Sequence, residues 1–144
     1  MVEYDIISAC GAGDIEYLKS FIESGMSINK VYKIESGGTW TPLNSAIEHR
    51  QKEIIIFLLE NGVNINFQQY GGLSALHHAV DSEIDSTLQT CGNVEETPID
   101  LIMLLLENGA NVDLKLNNGE TPIDIAKEYG CKKIVDLLQK YSKN

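Results

Sequence analysis

The residues of this chain best suited to chemistry are His77, His78 and Asp81. On a helix, His77 and Asp81 fall on one face, where two such side chains could share a metal ion. A zinc site needs a third strong ligand at metal spacing, and none is present. Asp81, Glu83 and Asp85 alternate in the manner of a calcium loop. Such a loop also needs a glycine and a distal glutamate at set offsets, which are missing. Cys10, Cys91 and Cys131 are odd in number, far apart and in no C-x-x-C pair. They supply neither a disulfide framework nor a zinc knuckle, and a reducing cytoplasm suits them. No serine or cysteine stands with a histidine and an acid in a nucleophile motif. Gly37-Gly38 and Gly71-Gly72 belong to turns, not to a phosphate-binding loop. The expectation is a non-enzymatic protein with no metal and no cofactor. A metal-dependent enzyme is the alternative from another class, and stoichiometric zinc in the purified protein would revive it.

The charge is more informative. The 144 residues carry a net charge of −10, which argues against nucleic acid as a partner, since phosphate binding needs a basic footprint. From Glu53 to Leu114 there is no lysine or arginine, while ten acids fall there; the rest of the chain holds eleven acids and eleven basic residues and is neutral. The whole excess therefore belongs to the middle. It is either a solvated surface that maintains solubility or a face that attracts a basic partner. Apolar content of 43% and charged content of 22% fit one folded domain. No apolar run approaches the roughly 20 residues needed to span a bilayer. The start, Met1-Val2-Glu3-Tyr4-Asp5, lacks the basic region of a secretory signal. A cytoplasmic location, away from membranes, is expected.

What positions these residues is a repeated device. Leu58-Leu59-Glu60-Asn61-Gly62-Val63-Asn64-Ile65-Asn66 returns as Leu105-Leu106-Glu107-Asn108-Gly109-Ala110-Asn111-Val112-Asp113, and Phe21 to Asn29 foreshadows it. Each copy is an apolar helix end running into glycine, which takes the left-handed conformation cheaply. Four units follow, approximately 3–29, 30–66, 67–113 and 114–144. In the first, Asp14 is an N-cap, and Ile15, Leu18, Phe21 and Ile22 make a helical stripe. Residues 30–40 read as an irregular excursion turning at Gly37-Gly38. Thr41-Pro42 opens the next helix, with threonine as cap and proline in the first turn. Ser74-Ala75-Leu76 occupies the same place 33 residues on, but Thr121-Pro122-Ile123 comes only 47 residues after that. The surplus lies between Val80 and Ile99. The spacing predicts that the helix carrying His77 runs on toward Leu88, then a loop, then a fresh helix start at Thr97-Pro98. The lysine-bearing end, Lys140 to Asn144, suits a helix C-terminus.

Thr-Pro-Leu with alanine three residues on, and Leu-Leu-Glu-Asn-Gly-Ala-Asn-Val-Asp, resemble the ankyrin repeat, as does the period of 33 residues. Asn44 and Asp124 stand where that family resembles itself in using histidine, Ala75 replaces proline, and two units carry insertions. The resemblance implies an all-α ankyrin-repeat solenoid of about four helix-turn-helix units with turn or hairpin tips and one long insertion in the third unit. It assigns His77 to a hydrogen bond that holds the turn and leaves His78 toward the concave surface.

Such a stack binds partners through its tips and the open side of its first helices. The tips offer Tyr32, Trp40, Tyr70, Leu73 and Glu120, whose aromatic members are the preferred anchors of protein interfaces. Trp40 has a plainer reading, that it packs on the neighbouring turn. Glu48 and His78 extend the surface along the helices, and Asp81, Glu83, Asp85, Glu95 and Glu96 supply its charge. The run from Leu76 to Asp85, with a long loop before Asp100, resembles bacterial ankyrin-type immunity proteins. That resemblance implies a cytoplasmic protein, monomeric when free, that neutralises a basic cognate toxin. A general scaffold or adaptor with several partners is the alternative from the same class.

Overall fold

The computed structural model describes residues 5–142. The outermost ends of the first and last units, residues 1–4 and 143–144, lie outside the described residues. Eight helices occur among those described: α1 Ile6–Ala12, α2 Ile15–Glu23, α3 Pro42–Glu48, α4 Lys52–Glu60, α5 Ala75–Thr90, α6 Asp100–Glu107, α7 Pro122–Glu128 and α8 Lys132–Tyr141. They pair as α1–α2, α3–α4, α5–α6 and α7–α8. The first members also pack on one another, α1 on α3, α3 on α5 and α5 on α7, making an inner row. The fold is an all-α repeat solenoid.

Each inner helix is started by its own sequence. Asp5, Thr41, Ser74 and Thr121 cap α1, α3, α5 and α7 by accepting from backbone N–H groups three residues on. Such caps contribute about 1 kcal/mol each. Pro42 and Pro122 stand in the first turn, where a missing N–H costs nothing. Asp14 caps α2 through the N–H of Tyr17 at 3.0 Å. The core is a continuous file of aliphatic side chains, among them Leu18, Ile47, Leu58, Leu76, Ile84, Leu105, Ile134 and Leu138, all fully buried. No unit could shelter these alone, so stacking is what stabilises them.

Asparagines tie successive units at the tip end. Asn29 Nδ2 donates to Gly62 O at 3.2 Å, and Asn29 Oδ1 accepts from Asn64 N at 2.6 Å. Asn66 repeats the pattern one unit on, with Gly109 O at 3.1 Å and Asn111 N at 2.8 Å. Gly72 provides a second close approach. Its φ is +86°, and an added Cβ would come within 2.8 Å of Lys115 O, so only glycine fits.

Two elements depart from expectation, and the long inner helix of the third unit agrees with it. Residues 30–40 are not irregular: β1 Tyr32–Lys33 and β2 Thr39–Trp40 pair antiparallel, with Tyr32 opposite Trp40. α5 runs to Thr90, two residues past Leu88, and a short 3-10 turn follows at Val94–Glu96. Thr97-Pro98 does not start a helix. The Thr97 hydroxyl donates back to Val94 O at 2.7 Å, and α6 begins at Asp100.

Candidate functional site

α5 is the centre of the inner face. Ser74 and His77 close a reciprocal capping box at its start. Its 16 residues span about 24 Å, at least twice the length of its inner neighbours. A groove runs along each side. The first, about 450 Å³, lies between α3 and α5 and is lined by Trp40, Glu48, His78, Asp81, Ser82 and Asp85, with Arg50 and Glu83 at one end. The second, about 550 Å³, lies between α5 and α7 and is lined by Leu73, His78, Asp81, Glu120, Glu128 and Tyr129. His78 and Asp81 border both.

His78 is mostly buried, and its ring meets Trp40 edge to face, with centroids 5.1 Å apart. Its Nε2 lies 2.8 Å from Glu48 Oε2, off the line of a good hydrogen bond. Burial pushes the imidazole below its ordinary value, against the pull of Glu48 and Asp81, so it is neutral at pH 7. Asp81 Oδ1 accepts from the Tyr129 hydroxyl at 2.9 Å. Burial, then that bond, push Tyr129 up to about 12. Asp85 Oδ2 accepts from Gln89 Nε2 at 2.6 Å.

His77 faces the other way. Its Nδ1 lies 2.8 Å from Ser74 Oγ, and its Nε2 lies 3.0 Å from the Glu120 carbonyl of the next unit. The histidine therefore joins two turns. The two imidazoles address different partners, and no group of three or more His, Cys, Asp or Glu that could hold a metal occurs among the described residues.

Of the twelve residues expected to meet a partner, the structure gathers seven. Trp40, Glu48, His78, Asp81 and Asp85 border the first groove, and Leu73 and Glu120 border the second. Tyr70 stands on its tip and is 96% exposed. Tyr32 is tied into the scaffold: its hydroxyl donates to Ser27 O and its ring packs edge-on against Phe21. Trp40 meets the neighbouring inner helix through His78.

Glu83 requires correction. It is buried, 3% exposed, and its carboxylate accepts from the Arg50 guanidinium, which also reaches Asp100 Oδ1 at 3.3 Å. Burial holds its carboxyl above the ordinary range even though Arg50 pulls it down. It is an internal link between the second and third units, not a docking charge. Glu95 and Glu96 also leave the set. They sit past the far end of α5, where Glu95 Oε1 accepts from Lys132 N at 3.1 Å and so caps α8. Glu96 is exposed beside Thr90 and Cys91 at that same end.

Tyr129, Glu128 and Gln89 border the grooves and were not singled out by sequence. The usable signal was an aromatic directly before Gly130, at the end of α7.

A family model of ankyrin repeats in three copies matches residues 6–90. The chain is 35% identical over 103 residues to the B-cell lymphoma 3 protein homolog of Mus musculus, covering 63% of this chain and 22% of that protein. It is 32% identical over 85 residues to the ankyrin repeat, SAM and basic leucine zipper domain-containing protein 1 of Notamacropus eugenii, covering 56% of this chain and 17% of that protein. The chain thus spans about a fifth of the length of these curated relatives. The matched residues, more than half of the chain, take in the first two helix pairs and the inner helix of the third, and the chain belongs to the ankyrin repeat family.

Proposed function

We propose that the inner face of this ankyrin stack binds a protein with a basic surface, and that this binding, not catalysis, is what the chain does. Ankyrin repeats are modules of protein–protein interaction, which supports the general reading. One observation carries the finer one. Glu48, Asp81, Asp85, Glu120 and Glu128 border the two grooves, and Arg50, the one cation among the lining residues, is already engaged by Glu83 and Asp100. A face of that sign speeds encounter with a basic partner and rejects an acidic one.

The narrower reading is an immunity protein that acts as a monomer in a reducing cytoplasm and neutralises a basic cognate toxin. It rests on the resemblance of the Leu76–Asp85 stretch and on this charge. A scaffold with several partners is the second reading. It is favoured by the Notamacropus eugenii relative, whose name places ankyrin repeats beside other domains.

The test is capture from lysate followed by association kinetics. Asp81→Lys with Asp85→Lys is the variant to use, because Glu83→Lys would break an internal link instead. The double reversal should slow association at least about tenfold at low salt, and the parent's rate should fall as salt rises. An unchanged rate would remove the basic-partner reading. One dominant captured protein supports the immunity role, and several unrelated ones support the scaffold.

A further inference from the structure

The groove between α3 and α5 has a different construction from its neighbour. In the second groove, Asp81 Oδ1 is taken by Tyr129 and the walls carry Leu73, Leu116 and Ile125. In the first, one wall is the half-buried ring of Trp40, and Glu48 and Asp85 approach from opposite helices. Beside them lies the hydroxyl oxygen of Ser82, buried and without a hydrogen-bond partner among the described residues. A buried hydroxyl left unpaired costs free energy, and a donor entering the groove would relieve it. His78, neutral at pH 7, adds no competing positive charge.

We propose that this groove is a slot for an arginine side chain of the partner, with Trp40 as the stacking wall and Glu48, Asp81 and Asp85 as the carboxylates that take the guanidinium. The inference rests on the basic-partner reading above and names the group that reading leaves open. Arginine fits better than lysine for three reasons. Its planar head stacks on an indole, and its five donors can serve carboxylates on two helices and the Ser82 hydroxyl together. Its weaker hydration lowers the cost of leaving water. Lysine brings a compact, strongly hydrated charge that uses the ring and the second helix poorly.

Trp40 is the single tryptophan of the chain, so its emission reports on this groove and on nothing else. The probes are three blocked pentapeptides, glycine throughout with arginine, lysine or citrulline at the centre, titrated at about 20 mM salt, where screening is weak. The arginine peptide should give a saturable change in emission. Lysine should bind at least about fivefold more weakly, and uncharged citrulline should give no change. Asp85→Asn and, separately, Glu48→Gln should each weaken the arginine peptide about three- to tenfold. Glu95→Gln with Glu96→Gln, at the far end of α5, should leave it within about twofold. Circular dichroism identifies any variant that fails to fold, and the peptide comparison on the parent needs no variant.

Equal binding of arginine and lysine, or equal weakening by the far-end variant, overturns the slot while leaving a basic partner in place. No saturable response to any cationic peptide overturns the slot as well. A captured partner indifferent to Asp81→Lys with Asp85→Lys overturns the reading beneath it.

Discussion

Arg50 offers the sharpest test of how this stack is held. It is the one non-glycine residue with positive φ among those described, at +52°, and it occupies the junction between an inner and an outer helix where the first and last units have Gly13 and Gly130. An L side chain there costs about 1–2 kcal/mol. The offset is the guanidinium, which crosses to buried Glu83 and on to Asp100. Removing one partner of a buried pair costs about 3–5 kcal/mol, because the other charge is stranded. Arg50 is 45% exposed, so solvent screening places the loss near the bottom of that range, about 3 kcal/mol for Arg50→Ala. Arg50→Gly recovers the backbone cost and should lose only about 2 kcal/mol. Glu83→Gln should lose about 1 kcal/mol, because Arg50 keeps both Asp100 and water. The assay is urea denaturation at pH 7 and pH 5. Glu83 already holds its proton more tightly than usual, and without Arg50 it holds it more tightly still. The Arg50→Ala deficit should therefore shrink as pH falls and the stranded carboxylate is neutralised. Arg50→Gly within about 0.5 kcal/mol of the parent at pH 7, or a deficit equal at both pH values, would refute this account.

The other predictions concern the turns and the histidines. His77→Ala should cost about 2 kcal/mol by stranding the Glu120 carbonyl and half the α5 capping box, read as a shift in denaturation midpoint. Asn66→Ala removes two hydrogen bonds between the second and third units and should cost about 1–2 kcal/mol. Amide exchange should then quicken first around Gly109 to Val112. His78 has a folded value below its ordinary one, so its contribution to stability is present above about pH 6.5 and lost as pH falls through the folded value. Glu83 acts in the opposite direction, its raised carboxyl favouring the fold at lower pH. His78→Gln separates them: it should flatten the acid-side loss, and an unchanged pH profile would assign that loss elsewhere.

Much of the fold was legible because its signals are local. Thr41-Pro42, Ser74 and the glycines after Leu59 and Leu106 each end or start a helix through atoms within four residues. The run of α5 toward Leu88 followed from where the surplus residues had to lie. What stayed hidden depends on distant partners. Glu83 looks like its neighbours Asp81 and Asp85 until Arg50, 33 residues earlier, is seen to meet it. Nothing in the type of residue at position 50 announces a left-handed turn. Thr97-Pro98 shares its letters with two true helix starts, yet its hydroxyl bonds backward. Glu95 shows the same limit for the candidate site: an acid beside a loop reads as surface, and only the placement of α8 reveals it as a cap.

The asparagine ties run along the tip end of the units, whereas the surplus residues of the third unit emerge at the opposite end, past Thr90. Length can thus be added or removed there without breaking an asparagine tie. The units keep their spacing while one inner helix grows a prow beyond its neighbours, which raises a second wall beside the grooves. A lineage of such proteins could change what it grips by altering the overhang alone, leaving the stitched edge untouched.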